Sequence, residues 1–232
     1  LYFSADFLKE KIIYMIKAFL FDLNGTMVDD MYYHARAWDD ILKEDLHSVF
    51  EWETIVLNMY GKNSEVLFRL FGADRFTSAE VEKISQDKEK RYQALYKPLL
   101  KPIDGLIPFL DVSSKLGIKL GIGSAAIPEN INFVIDSLDI RKYFSSIVSA
   151  SNVVNSKPDP ETFLLNADQL SVDPVDCIVF EDAPKGVEAA ERAGMSCVVI
   201  TTMHPETDFH NYKNVKQFIN DYSNLLPSSL FK

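Results

Sequence analysis

Five short, continuous apolar runs, at positions 16–21, 118–122, 146–149, 177–180 and 197–201, constrain this chain more than any other feature of its sequence. Rich in Val, Ile and Phe and without polar alternation, they have the pattern of strands buried on both faces of a parallel sheet. Helical spacing fills the gaps between the last four. Ile131, Val134, Ile135 and Leu138 follow Pro128; Phe163, Leu164, Ala167 and Leu170 follow Pro160; Val187, Ala190 and Ala193 follow Pro184. A proline near each first turn and Gly194 beyond the last helix are the start and stop residues such helices use. The alternation predicts an α/β fold, a doubly wound parallel five-stranded sheet of Rossmann-like form with ligands at the carboxyl ends of its strands.

Between the first two runs the period becomes helical over residues 30–98, which predicts a helical cap inserted into a core made of 15–29 and 99–232. Its first helix carries Met31, His34, Ala35, Trp38, Ile41 and Leu42 on one face. A later helix opens with a Thr77-x-x-Glu80 capping box and runs through Val81, Ile84, Lys88, Tyr92 and Leu95. Residues 1–14, ahead of Met15, read as an N-terminal extension or expression-tag remnant. At ~150 residues per domain, 232 residues suit one core with an insert.

With 24 Lys+Arg against 34 Asp+Glu, the net charge is −10, and without a basic patch nucleic acid is not an expected partner. Cys177 and Cys197 each sit inside an apolar run, as buried thiols do, so neither a disulfide framework nor a thiolate metal site is expected. No apolar run approaches the ~18 residues of a membrane span. The expectation is a cytoplasmic monomer with no membrane partner.

Chemistry collects where the strands end. The first run stops in Asp22-Leu23-Asn24-Gly25-Thr26, a carboxylate followed by a glycine turn. The second leads into Ser124 and Ala125, a hydroxyl beside the free amides of a starting helix. After the third comes Lys157, and after the fourth the pair Glu181-Asp182, hard oxygen ligands suited to Mg²⁺. Each has an ordinary alternative: a turn, a helix cap, a solvated lysine, acids favouring a helix N-terminus. Together they describe one site for a metal-bound phosphate.

These motifs resemble the haloacid dehalogenase superfamily, whose phosphotransferases carry Phe-Asp-x-Asp-Gly-Thr, then Ser or Thr, then Lys, then an acidic pair. The stretch from Asp22 to Trp38, with its His34-x-x-Ala37-Trp38, is most similar to the beta-phosphoglucomutase branch. The resemblance implies that Asp22 attacks phosphorus to form an aspartyl-phosphate, and that Mg²⁺ is held by Asp22, the Asn24 carbonyl and Asp182 with Glu181 beside it. Ser124, the Ala125 amide and Lys157 would hold the phosphoryl oxygens, with Gly25 and Thr26 shaping the same turn. On the cap, His34, Trp38, Lys62 and Lys88 are the expected substrate-binding residues. Lys88 and His34 interrupt apolar faces, which a snorkelling lysine and a satisfied core histidine also do.

The second Asp of the family motif is Asn24 here. An amide offers its backbone carbonyl to a metal but cannot donate and recover a proton, a function typically contributing ~10²–10⁴ in rate. The expected activity is therefore Mg²⁺-dependent hydrolysis of a small phosphorylated substrate, a sugar phosphate above all, with impaired or altered acid/base catalysis. His34 is the candidate to handle the proton. Alternatives are a beta-phosphoglucomutase-type mutase, whose second phosphate would need Lys62 or Arg69, and a phosphonate hydrolase using Lys62 or Lys88. A phosphate-binding module without turnover is the last.

Overall fold

The computed structural model describes residues 16–231; the expectations for residues 1–14 lie outside it. Six parallel strands form one sheet in the order β3-β2-β1-β4-β5-β6. They are β1 (Ala18–Phe21), β2 (Lys119–Gly123), β3 (Phe144–Val148), β4 (Cys177–Glu181), β5 (Ser196–Ile200) and β6 (Val215–Ile219). The sheet thus has one strand more than the five expected. β6 escaped because it is an edge strand whose Lys216 and Gln217 are exposed, so no continuous apolar run announces it. β3 also starts two residues before its apolar run, and Ser149 leaves the strand to cap the following turn by accepting from the Ser151 amide.

β1 sits at the centre, with Leu20 beside Gly121 of β2 and Val179 of β4. Its alternate residues feed two cores. Phe19 and Phe21 pack with Phe109, Phe180 and Tyr222 on one face, where Phe21 and Phe180 stack with centroids 4.6 Å apart. Ala18 and Leu20 join Phe163, Val179 and Val187 on the other. Each fully buried Phe or Leu contributes about 1.5–3 kcal/mol by leaving water, which fixes β1 in the middle of the sheet.

The segment 30–98, between β1 and β2, carries four α-helices: α1 (Met31–Asp40), α2 (Trp52–Asn58), α3 (Asn63–Phe71) and α4 (Ser78–Tyr96). They enclose a core of their own around Trp38, Ile41, Leu42, Ile55, Val66, Leu67 and Val81. At the start of α4, Thr77 Oγ1 accepts from the Glu80 amide at 3.3 Å and Glu80 Oε2 accepts from the Thr77 amide at 2.8 Å, closing the capping box. The remaining helices flank the sheet: α5 (Leu106–Lys115), α6 (Pro128–Ser137), α7 (Glu161–Leu170) and α8 (Pro184–Arg192). Among the described residues no helix is long and apolar enough to cross a membrane.

Hydrogen bonds from Lys62 and from α4 tie the insert to parts of the sheet domain beyond β2. Lys62 Nζ donates to the carbonyls of Val153 and Val154 at 2.8 and 3.2 Å. On α6, Asn130 donates to Glu89 Oε2 at 2.6 Å and accepts from Gln93 at 2.7 Å.

Candidate active site

Strand order reverses between β1 and β4, and the crevice at their carboxyl ends is where a doubly wound sheet leaves room for a ligand. Asp22 leaves the end of β1 and Glu181 ends β4. Lys157 Nζ bridges them, 2.6 Å from Asp22 Oδ1 and 2.7 Å from Glu181 Oε1. All three side chains are buried. Burial pushes the Asp22 carboxyl up to about 7 against the attraction of Lys157, with Glu181 adding to the rise. Burial alone would lower the Lys157 ammonium, but Asp22 and Glu181 override it and hold its pKa above the usual lysine range.

Asp182 lies behind the turn after β1. Gly25 has φ +75° there, and a Cβ on it would stand 2.0 Å from Asp182 Oδ2. Thr26 Oγ1 donates to Asp182 Oδ1 at 3.4 Å. Burial, then Glu181 and Asp22, raise the Asp182 carboxyl well above its ordinary range. Glu181 Oε2 meanwhile accepts from the amides of Asp182 and Ala183, both at 2.9 Å. Three buried carboxylates thus share one ammonium, an excess of negative charge that a divalent cation with hard oxygen ligands would balance. Among the described residues no three His, Cys, Asp or Glu side chains form a ready-made metal cluster. Asp22 and Asp182, with a backbone carbonyl, would offer such a cation hard oxygen donors, with waters and a substrate phosphate left to complete its shell.

Above this floor is a cavity of about 510 Å³ between the sheet domain and the insert. It gathers Asp22, Asn24, His34, Trp38, Lys88, Ser124, Ala125, Lys157, Glu181 and Asp182. Gly25 and Thr26 do not line it and act from behind through Asp182. Lys62 does not line it either, because its ammonium is turned to the carbonyls of Val153 and Val154. Arg69 donates to the carbonyls of Asn58 and Tyr60 and stacks on the Tyr60 ring. Ser124 Oγ accepts from the Ala126 amide at 3.1 Å, and its hydroxyl proton remains for a ligand.

Asn24 belongs to a buried chain of polar contacts. Its Nδ2 donates to Asp30 Oδ2 at 2.6 Å and lies 3.1 Å from His34 Nε2. Lys88 Nζ is 2.7 Å from His34 Nδ1 and 3.1 and 3.2 Å from the two oxygens of Glu89. Burial lowers the Lys88 pKa against the pull of Glu89. Burial also works to raise Glu89, but Lys88, His34 and the amides of Asn63 and Asn130 hold it at about 2. Sequence reasoning missed Asp30, Glu89, Asn130 and the cavity-lining His204. Asp30 had a misleading signal. An Asp directly before a helix normally caps it, yet Asp30 makes no side-chain cap to α1 and accepts instead from Asn24 and, at 2.5 Å, from Tyr92.

Fold and site define the class, a doubly wound α/β protein that concentrates carboxylates, an ammonium and a hydroxyl at its topological switch point. The family model described as haloacid dehalogenase-like hydrolase matches residues 16–194. The chain belongs to that family. It is 32% identical over 185 residues to the fructose-1-phosphate phosphatase YqaB of Escherichia coli, covering 77% of this chain and 93% of that protein. To the beta-phosphoglucomutase of Bacillus subtilis it is 30% identical over 195 residues, 82% of this chain and 85% of the other. Its fold is similar to that of a beta-phosphoglucomutase from Clostridium difficile, with TM-score 0.78, 26% identity and coverage of 93% and 95%. It is an enzyme of this phosphatase and phosphoglucomutase-like kind.

Proposed function

We propose that this enzyme is a Mg²⁺-dependent hydrolase of small phosphate monoesters, sugar-phosphate-sized, working through an aspartyl-phosphate on Asp22. The observation that carries the proposal is the Lys157 bridge between Asp22 and Glu181 on the cavity floor. It presents a fixed carboxylate nucleophile beside an ammonium able to neutralise a phosphoryl oxygen. Relatives named for a fructose phosphate and a phosphoglucose support the substrate size.

In the proposed reaction an Asp22 oxygen bonds to phosphorus as the bond to the leaving oxygen breaks, and water then hydrolyses the aspartyl-phosphate. Lys157, the Ser124 hydroxyl and the Ala125 amide hold the phosphoryl oxygens. Asp22, the Asn24 carbonyl and Asp182, beside Glu181, would hold Mg²⁺, which would supply further positive charge at the phosphate. The insert, residues 30–98, acts as a cap that excludes water, and His34 exchanges a proton with the leaving oxygen in this reading. Hydrolysis is preferred to mutase chemistry because Lys62 and Arg69 are both engaged with backbone carbonyls.

The test is phosphate release from p-nitrophenyl phosphate and hexose phosphates with and without Mg²⁺, for native protein and Asp22→Ala. Native turnover should require Mg²⁺ and the variant should lose it while folding normally. Mg²⁺-dependent turnover that persists in Asp22→Ala would sink the nucleophile assignment.

A further inference from the structure

The turn after β1 is held one peptide group at a time. The Leu23 carbonyl accepts from the amide of Met27 at 2.8 Å and from those of Thr26 and Val28 at 3.4 Å. The Gly25 carbonyl accepts from Thr202 Oγ1 at 2.6 Å, and the Thr26 carbonyl from the Tyr222 hydroxyl at 3.0 Å. Met27 accepts from the Ile103 amide at 2.9 Å, and Val28 from the Gly25 amide at 2.8 Å. Among the described residues, Asn24 alone in this stretch has a carbonyl that accepts no hydrogen bond. Asn24 lines the cavity with Asp22 and Asp182, so that oxygen is available to a hard cation.

Where this oxygen sits depends on its neighbours. Gly25, at φ +75°, has no side chain to restrict the peptide groups on either side of it. Its amide is tied to Val28, and in a trans peptide the Asn24 carbonyl then faces the opposite way. The next peptide group, Gly25 to Thr26, has only the 3.4 Å bond to Leu23 at its amide end, so the bond from Thr202 is its main restraint. The buried Tyr222 restrains the Thr26 carbonyl in the same way. Both donors stand on anchored backbone. Thr201 Oγ1 donates to Asn220 Oδ1 at 2.7 Å, and the Tyr222 amide donates to the Asp104 carbonyl at 2.8 Å. Neither Thr202 nor Tyr222 lines the cavity, and both lie beyond residue 194, where the family match ends.

We infer that Thr202 and Tyr222 are positioning residues for the cation site: they clamp the carbonyls of Gly25 and Thr26 and so keep the free Asn24 carbonyl in place with Asp22 and Asp182. The inference rests on the Mg²⁺-dependent reading above and extends it to the segment that follows β5.

The test is Mn²⁺ binding to the full chain without substrate, read from the electron paramagnetic resonance of the free ion, since Mn²⁺ takes the octahedral oxygen ligands that Mg²⁺ takes. Thr202→Val and Tyr222→Phe each delete one hydroxyl, and each should weaken Mn²⁺ binding about three- to tenfold, the equivalent of one neutral hydrogen bond. The Mg²⁺ concentration for half-maximal turnover of p-nitrophenyl phosphate should rise in step, with KM at saturating Mg²⁺ unchanged. Thr202→Ser keeps the hydroxyl and should bind Mn²⁺ as the native chain does. Variants that lose stability to urea but keep native Mn²⁺ affinity would overturn the inference and leave the Mg²⁺-dependent hydrolase in place. Weakened Mn²⁺ binding in both variants, with no ester hydrolysed by the native chain, would keep the inference and overturn the hydrolase reading. A native chain that binds no Mn²⁺ and releases phosphate equally without Mg²⁺ would overturn the metal reading and the clamp with it.

Discussion

At the residue scale, Asn24 and Asp30 have to be understood together. The amide of Asn24 donates to a carboxylate 2.6 Å away that is wholly buried and whose other oxygen, Oδ1, has no hydrogen-bond partner among the described residues. Replacing Asn24 by Asp alone would exchange an amide donor for a second carboxyl group in contact with Asp30, and the two would share one proton. Under the proposed mechanism, Asn24→Asp should therefore gain little on hexose phosphates, whereas Asn24→Asp with Asp30→Asn should gain about 10²-fold or more in kcat. A full gain from the single change would show that Asp30 imposes no constraint. His34→Gln should slow hexose phosphates at least tenfold but leave p-nitrophenyl phosphate, whose leaving group needs no proton, nearly unchanged. Equal loss on both would assign His34 to binding. Asn24 is visible in the sequence because it interrupts a motif; Asp30 is not, because its side chain turns inward from a position where Asp ordinarily caps a helix.

At the scale of elements, the unit β4–turn–α8 is built around the Glu181 carboxylate. Gly186, in the first turns of α8, gives that carboxylate its room: a Cβ there would lie 1.7 Å from Glu181 Oε1. Gly186→Ala should displace the acid that holds Lys157 and cost about 3 kcal/mol, within the range for overpacking and a disturbed buried ion pair. Gly194→Ala, at φ +75° with nothing within 4 Å, should cost only about 1 kcal/mol. Urea unfolding of both variants checks the contrast, and equal losses would mean that backbone conformation, not the carboxylate, sets the requirement. Elements were legible in proportion to their burial. β1, β2, β4 and β5 sit inside the sheet and must be apolar on both faces, so continuous runs reveal them. β6 lies on an edge and needs no such run. Ser124, Lys157 and Glu181 could be placed together because parallel strands send their carboxyl ends to one side.

At the scale of the whole molecule, Glu89 joins the insert to the sheet domain through Asn130 while neutralising Lys88. Its pKa is held at about 2 against an ordinary value of 4.5, so folding favours its ionised form. That contribution is complete above pH ~4.5 and is lost as pH falls towards 2. By linkage it amounts to at most about 3 kcal/mol, reduced by the desolvation of Lys88. Stability measured by denaturant between pH 5 and 3 should fall more steeply in the native protein than in Glu89→Gln. Parallel slopes would place the acid sensitivity elsewhere. None of this could be read from the sequence, since Glu89 and Asn130 are 41 positions apart and meet only when the insert folds over α6.

The central position of β1 also sets a timetable for synthesis. Ala18 pairs with Lys119 on one side and Cys177 on the other, so its second neighbour is translated 159 residues later. At ~5–20 residues per second, the strand that carries Asp22 waits about 8–30 s for the partner that seals it. Ala18-Phe19-Leu20-Phe21 leaves the ribosome as an apolar segment with neither neighbour, one of its edges stays open after β2 arrives until β4 does, and the insert is completed before its sheet exists. Chaperone demand should therefore concentrate on nascent chains that stop short of β4, and the Asp22 carboxylate is among the last groups to acquire its native surroundings.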